Sequence, residues 1–504
     1  YLLRNRKNLL IIKRCGPINQ RRRMVMSEVR TRFAPSPTGF MHLGGLRTAL
    51  YAYLYAKHNG GDFILRIEDT DQQRYVEGAV ELIYSSLKES GLIYDEGPDV
   101  GGNYGPYVQS ERKEIYHEYA KKLIELGGAY YCFCSKERLE SLTDENGNRK
   151  YDKHCLKLSK EEIEKKLAAG EPYVIRQNIP TEGVSEYEDM VYGTIRVDYA
   201  DLEDNILIKS DGMPTYNFAN VIDDHLMGIT HVIRGTEYLS STPKYNLMYD
   251  AFGWERPKYI HLPTIMKDAT RKLSKRYGDA NFDDFVKKGY LKEAIINYVA
   301  LLGWSPKSNV EKMTLPEMVE MFSLDGISKS PSIFDEMKLR WLNGEYIREL
   351  AEDEFYAHAL PYLENSAVNG KFDLKKIAKL LHGRVEVLGE IPEKIDWIVS
   401  LPDYDFALFD NKKNKTDKEV AKTLLPEIKE WLEEIEDFSN DVLFSALSEK
   451  AKEKGVKSGS VFWVMRIAIT GMAVTPGGAT EIAELLGKDE TLARIEKSIK
   501  RLTE

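Results

Sequence analysis

The chain has 504 residues, of which 42% are hydrophobic and 30% are charged, and its formal net charge is −9. This composition is globular and long enough for two to four domains, and the charge argues against indiscriminate nucleic-acid binding while allowing a local basic face. The most apolar run, residues 461–474, contains Arg466 and suits a core helix rather than a membrane span. Four cysteines, three of them between positions 132 and 155, exclude a secreted disulfide framework and indicate a reducing cytoplasm.

The amino-terminal segment differs from the rest, since residues 1–23 contain eight basic residues and no acidic one. We expect residues 1–27 to be a disordered basic extension, either upstream translated sequence or a disordered arm, with Met24 or Met26 as the candidate start. A transit peptide, which is also Arg-rich and acid-poor, is the alternative.

The next elements follow a strand, turn, helix, strand order. Residues 29–35 alternate as a strand does, and apolar residues from Leu43 recur at helical intervals up to residue 59. Residues 62–67 predict a second strand and residues 75–92 a second amphipathic helix. This βαβ unit predicts a doubly wound, Rossmann-like α/β domain with a parallel sheet.

The remaining chain divides into three parts. Residues of about 120–210 break the rhythm and predict an inserted region, with a helix over 159–169 and a strand over 173–176. The doubly wound pattern resumes near 217–222 and continues through 259–262. We therefore predict a catalytic domain over residues 28–345, which includes the insertion, and an all-α region over residues 346–504.

A glycine-rich loop joins the first strand to the first helix: Arg32-Phe-Ala-Pro-Ser-Pro-Thr-Gly-Phe-Met-His-Leu-Gly-Gly45. Gly44 and Gly45 let backbone N–H groups approach a ligand, the helix N-terminus favours an anion, and His42 can donate to a phosphate oxygen. The loop matches neither the dinucleotide G-x-G-x-x-G pattern nor a Walker loop. A phosphate-binding loop and a structural turn are both open at this point.

A basic stretch lies far along the chain: Thr270-Arg-Lys-Leu-Ser-Lys-Arg-Tyr-Gly278. Taken alone, it is either a solvated surface loop or a mobile clamp for a triphosphate. Lys and Arg suit the second role because they stabilise charge on a transferring phosphoryl group.

Together these two stretches resemble the signatures of class I aminoacyl-tRNA synthetases. His42-Leu-Gly-Gly45 resembles the HIGH motif, and Lys272-Leu-Ser-Lys-Arg276 resembles KMSKS. Five more segments are similar to glutamyl-tRNA synthetases of bacterial or organellar type: Arg32-Phe-Ala-Pro-Ser-Pro-Thr-Gly39, Arg66-Ile-Glu-Asp-Thr-Asp71, Tyr216-Asn-Phe-Ala-Asn-Val-Ile-Asp-Asp-His225, Arg234-Gly-Thr-Glu-Tyr238 and Phe252-Gly-Trp254. The resemblance covers residues 28–504.

The resemblance implies an activity. It is the ATP-dependent ligation of L-glutamate to the 3′ end of tRNA(Glu) through glutamyl-adenylate, with release of pyrophosphate and AMP and with Mg²⁺ neutralising the pyrophosphate. Positioning and charge neutralisation are then the main tasks, so no nucleophilic Ser or Cys is required. The family also implies a cytoplasmic monomer that acts in protein synthesis.

The resemblance also implies residue roles, by motif match. Catalysis is assigned to His42, Lys272 and Lys275. ATP binding is assigned to His42, Gly44, Gly45, Glu237 and Lys275. Glutamate binding is assigned to Arg32, Ala34, Ser36, Glu68, Tyr216, Asn220 and Arg234, with the two arginines on the carboxylates and Glu68 on the ammonium.

Two positions depart from the family signatures. Gly45 stands where the HIGH motif ends in His, so that side chain's role must be supplied from elsewhere. Arg276 stands at the last KMSKS position and keeps a positive charge there.

The cysteine cluster is Cys132-Phe-Cys134 with Cys155, preceded by Tyr151 and His154. Three thiolates and a fourth ligand can hold a structural zinc, although C-x-C is a weaker signal than C-x₂-C. From chemistry His154 is the first choice as fourth ligand, whereas resemblance to glutamyl enzymes with Cys-x-Cys and Tyr-x₃-Cys implies Tyr151. Unliganded loop cysteines are the alternative.

The resemblance assigns the remaining chain to tRNA. Residues 270–345 would contact the tRNA stem, and the C-terminal helices would bind the anticodon, with Arg384 and Arg466 as candidates beside a solvated-face interpretation. Glutaminyl enzymes, which end in β-barrels, a tRNA-modifying relative that would stop near residue 300, a catalytically inactive binding module and a simple nucleotidylyltransferase are the competing hypotheses. Charging of tRNA(Gln) in addition to tRNA(Glu) is an open question.

Overall fold

The computed structural model describes residues 28–142, 151–273 and 281–504. The predicted extension over residues 1–27 lies outside the described residues. The strands are β1 (Arg30–Phe33), β2 (Asp62–Leu65), β3 (Ala129–Cys132), β4 (Val174–Gln177), β5 (Val184–Asp189), β6 (Gly193–Asp198), β7 (Ile206–Ile208), β8 (His231–Gly235), β9 (Lys258–Leu262), β10 (Ile265–Met266) and β11 (Ser332–Ile333).

Residues up to 335 contain the first ten of the described helices: α1 (Leu43–His58), α2 (Ala79–Glu89), α3 (Lys113–Glu125), α4 (Lys136–Glu140), α5 (Lys160–Ala168), α6 (Tyr216–Leu226), α7 (Thr242–Phe252), α8 (Phe282–Lys288), α9 (Lys292–Leu301) and α10 (Leu315–Met321). The helices that follow are α11 (Glu336–Glu349), α12 (Glu352–Glu364), α13 (Leu374–Leu381), α14 (Ile391–Ile395), α15 (Lys418–Glu434), α16 (Asn440–Lys454), α17 (Ser458–Thr470), α18 (Ala479–Leu486) and α19 (Lys488–Thr503).

The predicted βαβ unit is present. β1 and β2 pair in parallel, from Arg30 opposite Asp62 to Phe33 opposite Leu65. α1 joins them, and its buried residues include Leu46. All four positions of β1 are buried instead of alternating, because parallel strands are covered on both faces.

The second helix is shorter than the predicted 75–92. α2 begins at Ala79 because Gly78 has φ of 79°, a left-handed conformation that interrupts the helix on its amino-terminal side. Residues 72–74 form a separate 3₁₀ turn. Gly91, also left-handed, follows the helix end.

A second sheet has the order β6-β5-β9-β8, in which β9 is parallel to both β5 and β8. The predicted segment 259–262 lies in β9, and 217–222 lies in α6. β3, β4 and β7 form a separate antiparallel sheet. The predicted helix over 159–169 is α5, which begins with a capping box between Ser159 and Glu162.

From α11 to the end, the chain is helical, as predicted. Apolar residues of α12, α13, α15, α16, α17 and α19 share one buried core. The family fold class predicted from the sequence, a parallel α/β region followed by helices, is therefore confirmed. Within the described ranges, we find no helix with both the length and the apolar character that a bilayer crossing requires.

Candidate active site

A cavity of about 520 Å³ opens at the carboxyl ends of β1 and β8. Doubly wound sheets bind ligands at this edge. Eight residues that the sequence assigned to substrates line the cavity: Arg32, Ala34, Ser36, Gly45, Glu68, Tyr216, Arg234 and Glu237. The motifs that carried the resemblance thus meet at one place in the fold.

The HIGH-like motif forms the start of α1. The Nδ1 atom of His42 accepts a hydrogen bond of 3.0 Å from the Gly44 N–H and caps the helix. A neutral His42 ring therefore carries its proton on Nε2, which is the nitrogen able to donate to an oxygen. A Cβ atom added to Gly45 would meet nothing within 4 Å, so the space that a longer side chain would take is open.

Other predicted residues lie beside the cavity or outside the described chain. Asn220 is buried one helical turn after Tyr216, and its side-chain amide donates a hydrogen bond of 2.6 Å to the Tyr216 carbonyl oxygen. Lys272 is exposed, and its backbone forms an isolated antiparallel β-bridge with Met266. Lys275 and Arg276 lie outside the described residues.

Arg32 is buried and ion-paired. Its Nε lies 3.1 Å from Asp224 Oδ1, and its Nη1 donates 3.3 Å to the carbonyl oxygen of Ile233. Burial acts to raise the pKa of Asp224, but Arg32 and Arg66 together hold that pKa below its ordinary value. Arg32 is therefore part of the buried structure as well as of the cavity wall.

Arg66 is fully buried between three carboxylates. It donates hydrogen bonds of 2.8 Å to Glu68 and 2.7 Å to Asp224, and its Nε lies 3.7 Å from Asp223 Oδ2. Both the Arg66 bond and a longer one from Gln109 go to Glu68 Oε1. Burial raises the pKa of Glu68 in spite of these donors.

A third arginine completes this network. Arg112 donates 2.7 Å to Asp223, which also accepts from Tyr116 and Gln109. No motif or spacing in the sequence pointed to Gln109, Arg112 or Tyr116. They lie in the 3₁₀ turn at 109–112 and in α3, and only the folded chain brings them within hydrogen-bond distance of Asp223.

Arg234 has a different environment. Its guanidinium carbon lies 4.8 Å from the ring centroid of Tyr245 and 5.0 Å from that of Tyr238. Its Nη2 donates a hydrogen bond of 2.7 Å to Thr242 Oγ1, and its Nε donates one of 3.2 Å to His261 Nε2.

Several cavity residues were not assigned from the sequence, among them Thr48, Thr70, Asp71, Arg74 and Tyr238. Thr70, Asp71 and Tyr238 lie inside the quoted motifs, so that signal was available. Thr48 follows Gly44 by one helical turn, and its hydroxyl donates a hydrogen bond of 3.1 Å to the Gly44 carbonyl oxygen. Helical spacing alone could have placed Thr48 on the same side of α1 as Gly44.

Comparison with known proteins decides the family. The model of the family described as tRNA synthetases class I (E and Q), catalytic domain, matches residues 28–341, and an anticodon binding domain model matches residues 354–499. This chain belongs to the class I tRNA synthetases for glutamate and glutamine. A glutamate–tRNA ligase of Clostridium novyi is 58% identical over 95% of this chain and 99% of its own, and that of Clostridium acetobutylicum is 57% identical over 95% and 100%.

A solved structure is also similar to this synthetase. It is a glutamate tRNA ligase from Elizabethkingia meningosepticum in complex with its amino acid, 37% identical with a TM-score of 0.84. The match covers 94% of this chain and 99% of that one. The likeness thus includes both the sheet region and the helices.

The synthetase also contains the predicted cysteine cluster. The Sγ atoms of Cys132, Cys134 and Cys155 all lie within 4.8 Å of one another. The hydroxyl of Tyr151 is 3.3 Å from Cys132 Sγ and 3.5 Å from Cys134 Sγ, whereas His154 is exposed and outside the group. Thiolates on one tetrahedral zinc at about 2.3 Å would be about 3.8 Å apart, so this donor set fits zinc.

The loop before Cys155 has an unusual backbone conformation and is anchored through Lys153. Lys153 has φ of 57°, a left-handed conformation that is uncommon outside glycine. Its Nζ is held by Asp204 at 2.8 Å and by the carbonyl oxygen of Ile179 at 2.6 Å. These contacts anchor the loop that carries Tyr151 and Cys155.

The two candidate anticodon residues lie near each other in the helical region. Arg384 is half exposed, donates 2.8 Å to the carbonyl oxygen of Leu380 and is 3.7 Å from Glu481. Burial and the charge of Arg384 lower the pKa of Arg466, whose guanidinium lies 6.0 Å from the Trp463 ring centroid.

Proposed function

We propose that this chain ligates L-glutamate to tRNA(Glu) in two steps. A carboxylate oxygen of glutamate attacks the α-phosphorus of ATP, the bond from that phosphorus to the pyrophosphate oxygen breaks, and glutamyl-adenylate forms. A hydroxyl of the terminal adenosine then attacks the glutamyl carbonyl, loses its proton, and AMP leaves. The observation that carries this proposal is the cavity that brings Arg234 and Glu68 beside the start of α1.

Glutamate binding is the best supported assignment. Arg234 and Arg32 take the two carboxylates, Glu68 takes the ammonium, and Ala34, Ser36, Tyr216 and Asn220 complete the site. Arg32 can serve both roles because a guanidinium has five N–H donors and its bonds to Asp224 and Ile233 use three of them.

ATP binding is proposed for the adjacent loop. His42 donates from Nε2, the N–H groups near Gly44 and Gly45 approach the phosphates, and Glu237 contacts the nucleotide. Lys272 and Lys275 neutralise phosphate charge, and Mg²⁺ accompanies ATP as in class I synthetases generally. The attacking carboxylate and the phosphates are all anionic, which is why the proposed catalytic groups are cationic or donors.

The rest of the chain serves the tRNA in this proposal. Residues 28–345 form the catalytic domain, with an acceptor-stem region at about 120–210 and a stem-contact segment at about 270–345. Residues 346–504 bind the anticodon, with Arg384 and Arg466 as candidate base readers. We propose that the enzyme is a monomer and acts in the cytoplasm.

The test is glutamate-dependent exchange between ATP and labelled pyrophosphate, measured with and without tRNA(Glu), together with charging of purified tRNA(Glu) and tRNA(Gln). We expect the enzyme to charge tRNA(Glu) with glutamate. We expect no pyrophosphate exchange when glutamine replaces glutamate. Absence of exchange under both conditions would exclude the proposed activity. Charging of tRNA(Gln) in the same series shows how strictly the helical region discriminates.

A structural zinc at Cys132, Cys134, Cys155 and Tyr151 is a further part of the proposal. When bound, zinc would tie the loop at 151–155 to β3. We expect about one zinc per chain after purification without chelators, a reduced content in Tyr151→Phe and an unchanged content in the matched His154→Ala. A content below about 0.2 per chain would contradict a zinc site, and loss of zinc from His154→Ala alone would contradict Tyr151 as the ligand.

A further inference from the structure

His261 faces Arg234 across two neighbouring parallel strands. The two residues are direct register partners on β9 and β8, and Arg234 Nε lies 3.2 Å from His261 Nε2. Because a guanidinium has donors and no acceptor, this bond requires the lone pair of Nε2. The His261 ring must therefore be neutral, with its proton on Nδ1.

Asp189 holds that tautomer in place. Its Oδ2 is 2.7 Å from His261 Nδ1 and accepts 3.1 Å from the His261 backbone N–H. Its Oδ1 accepts from the backbone N–H groups of Val191 and Tyr192 at 2.9 Å and 2.8 Å. Both oxygens of Asp189 thus act as hydrogen-bond acceptors, which keeps the proton on His261 Nδ1 and turns the lone pair of Nε2 towards Arg234.

These contacts leave one edge of Arg234 for a ligand. His261 Nε2 and Thr242 Oγ1, which lie 3.5 Å apart, take the edge formed by Nε and one N–H of Nη2. The opposite edge, formed by Nη1 and the other N–H of Nη2, is the pair that can bind a carboxylate with two parallel bonds. Arg234 lines the cavity.

The acceptors of Arg234 are also neutral. Among the residues that the structure describes, none forms an ion pair with Arg234, whereas Arg32 and Arg66 both do. Burial and the charge of Arg234 hold the pKa of His261 below its ordinary value, although Asp189 opposes this. The positive charge of Arg234 is therefore left for the ligand.

We propose that His261, oriented by Asp189, is a positioning residue for Arg234: it fixes the free edge of the guanidinium towards the substrate carboxylate without neutralising its charge. This inference rests on the proposed role of Arg234 in binding glutamate.

Three substitutions at one position test the proposal in the full chain. His261→Leu removes the acceptor. His261→Asn keeps an NH₂ donor towards Asp189 but is too short to place its oxygen where Nε2 stood, whereas His261→Gln is long enough to present an oxygen to Arg234 Nε. In tRNA(Glu) charging, we expect His261→Leu and His261→Asn to raise KM for glutamate about 10- to 100-fold and to leave KM for ATP within about twofold. We expect His261→Gln to keep KM for glutamate within about fivefold of the wild type.

A second buried histidine provides the matched control. His231 lies at the other end of β8, and its Nδ1 contacts Thr230 Oγ1 at 2.8 Å. His231→Leu should leave both KM values unchanged.

The proposal is overturned if His261→Asn keeps the wild-type KM for glutamate, or if it raises KM for ATP by the same factor. If His261→Leu does not fold, His261→Asn and His261→Gln still decide between these outcomes. Failure of the wild-type protein to charge tRNA(Glu) would instead refute the proposed function itself, so the two failures are distinguishable.

Discussion

The two sides of the cavity use arginine in opposite ways. The paired side consists of Arg32, Arg66, Arg112, Glu68, Asp223 and Asp224, in which three cations meet three carboxylates. The neutral side consists of Arg234, His261, Thr242 and the rings of Tyr238, Tyr245 and Tyr259. Each cation of the paired side has a carboxylate partner within the fold, although Arg32 and Glu68 also line the cavity, whereas Arg234 on the neutral side has only neutral acceptors among the described residues.

The difference has an energetic consequence. Removing one member of a buried ion pair leaves an uncompensated charge in a poorly solvated place. Removing a buried cation with neutral acceptors leaves only unfilled hydrogen bonds. We therefore expect substitutions on the paired side to act first on stability and those on the neutral side to act first on glutamate binding.

Arg66→Met should give the largest effect. It leaves Glu68, Asp223 and Asp224 without the fully buried cation that they share. We expect the free energy of unfolding to fall by about 3–5 kcal/mol, measured by urea denaturation.

The control for this prediction is an exposed pair. Arg196 and Glu186 lie 3.0 Å apart with 68% and 55% of their side chains exposed. Arg196→Met should change the free energy of unfolding by less than about 1 kcal/mol. Equal effects of the two substitutions would remove the distinction between the paired side and an ordinary surface pair.

Arg234→Met should separate activity from stability. Loss of a buried charged partner of the substrate predicts a fall in kcat/KM for glutamate of about 10²- to 10³-fold, with KM for ATP nearly unchanged. His261 and Thr242 lose only a donor, so unfolding should be less affected than in Arg66→Met. A loss of stability as large as that of Arg66→Met would contradict the neutral-side interpretation.

Much of the fold was predictable because its signals are local. The helical spacing from Leu43, the glycine-rich loop and the strand-like residues on either side identified the first βαβ unit, which the structure contains, although the burial of β1 does not alternate. The start of α2 was wrong by four residues, since the left-handed Gly78 lies inside a segment whose apolar spacing still looks helical. Apolar spacing reports which face is buried and not where the backbone changes direction.

The candidate site was predictable only where a motif carried it. Arg234 was assigned, but Asp189 and His261 were not, because their contact depends on the parallel pairing of β5, β8 and β9. Tyr151 and His154 were both open as zinc ligands, and the left-handed Lys153 that lies between them has no sequence signature. Pairings between distant strands and rare backbone conformations are the information that residue spacing lacks.

The two sides should also differ in pH dependence, which is the smallest expected effect. The pKa of Asp224 is lowered in the folded protein. Its contribution to the free energy of unfolding is therefore present above its unfolded pKa of about 3.9 and is lost only as the pH falls through the lower folded value. The folded pKa of His261 is lowered too, so its ring stays neutral while the unfolded chain takes up a proton below about pH 6.5. The free energy of unfolding should therefore fall on acidification by up to about 1.4 kcal/mol per pH unit because of His261.

His261→Gln isolates this contribution, since glutamine does not titrate. Urea denaturation between about pH 7 and about pH 5 should show a shallower pH dependence for the variant than for the wild type. Burial and Lys258 lower the pKa of His231 to about 4, which gives a similar slope in both proteins and cancels in the difference. Burial raises the pKa of Glu68, which acts in the opposite direction but is common to both proteins. Identical slopes would mean that His261 is protonated in the fold, and Nε2 could then no longer accept from Arg234.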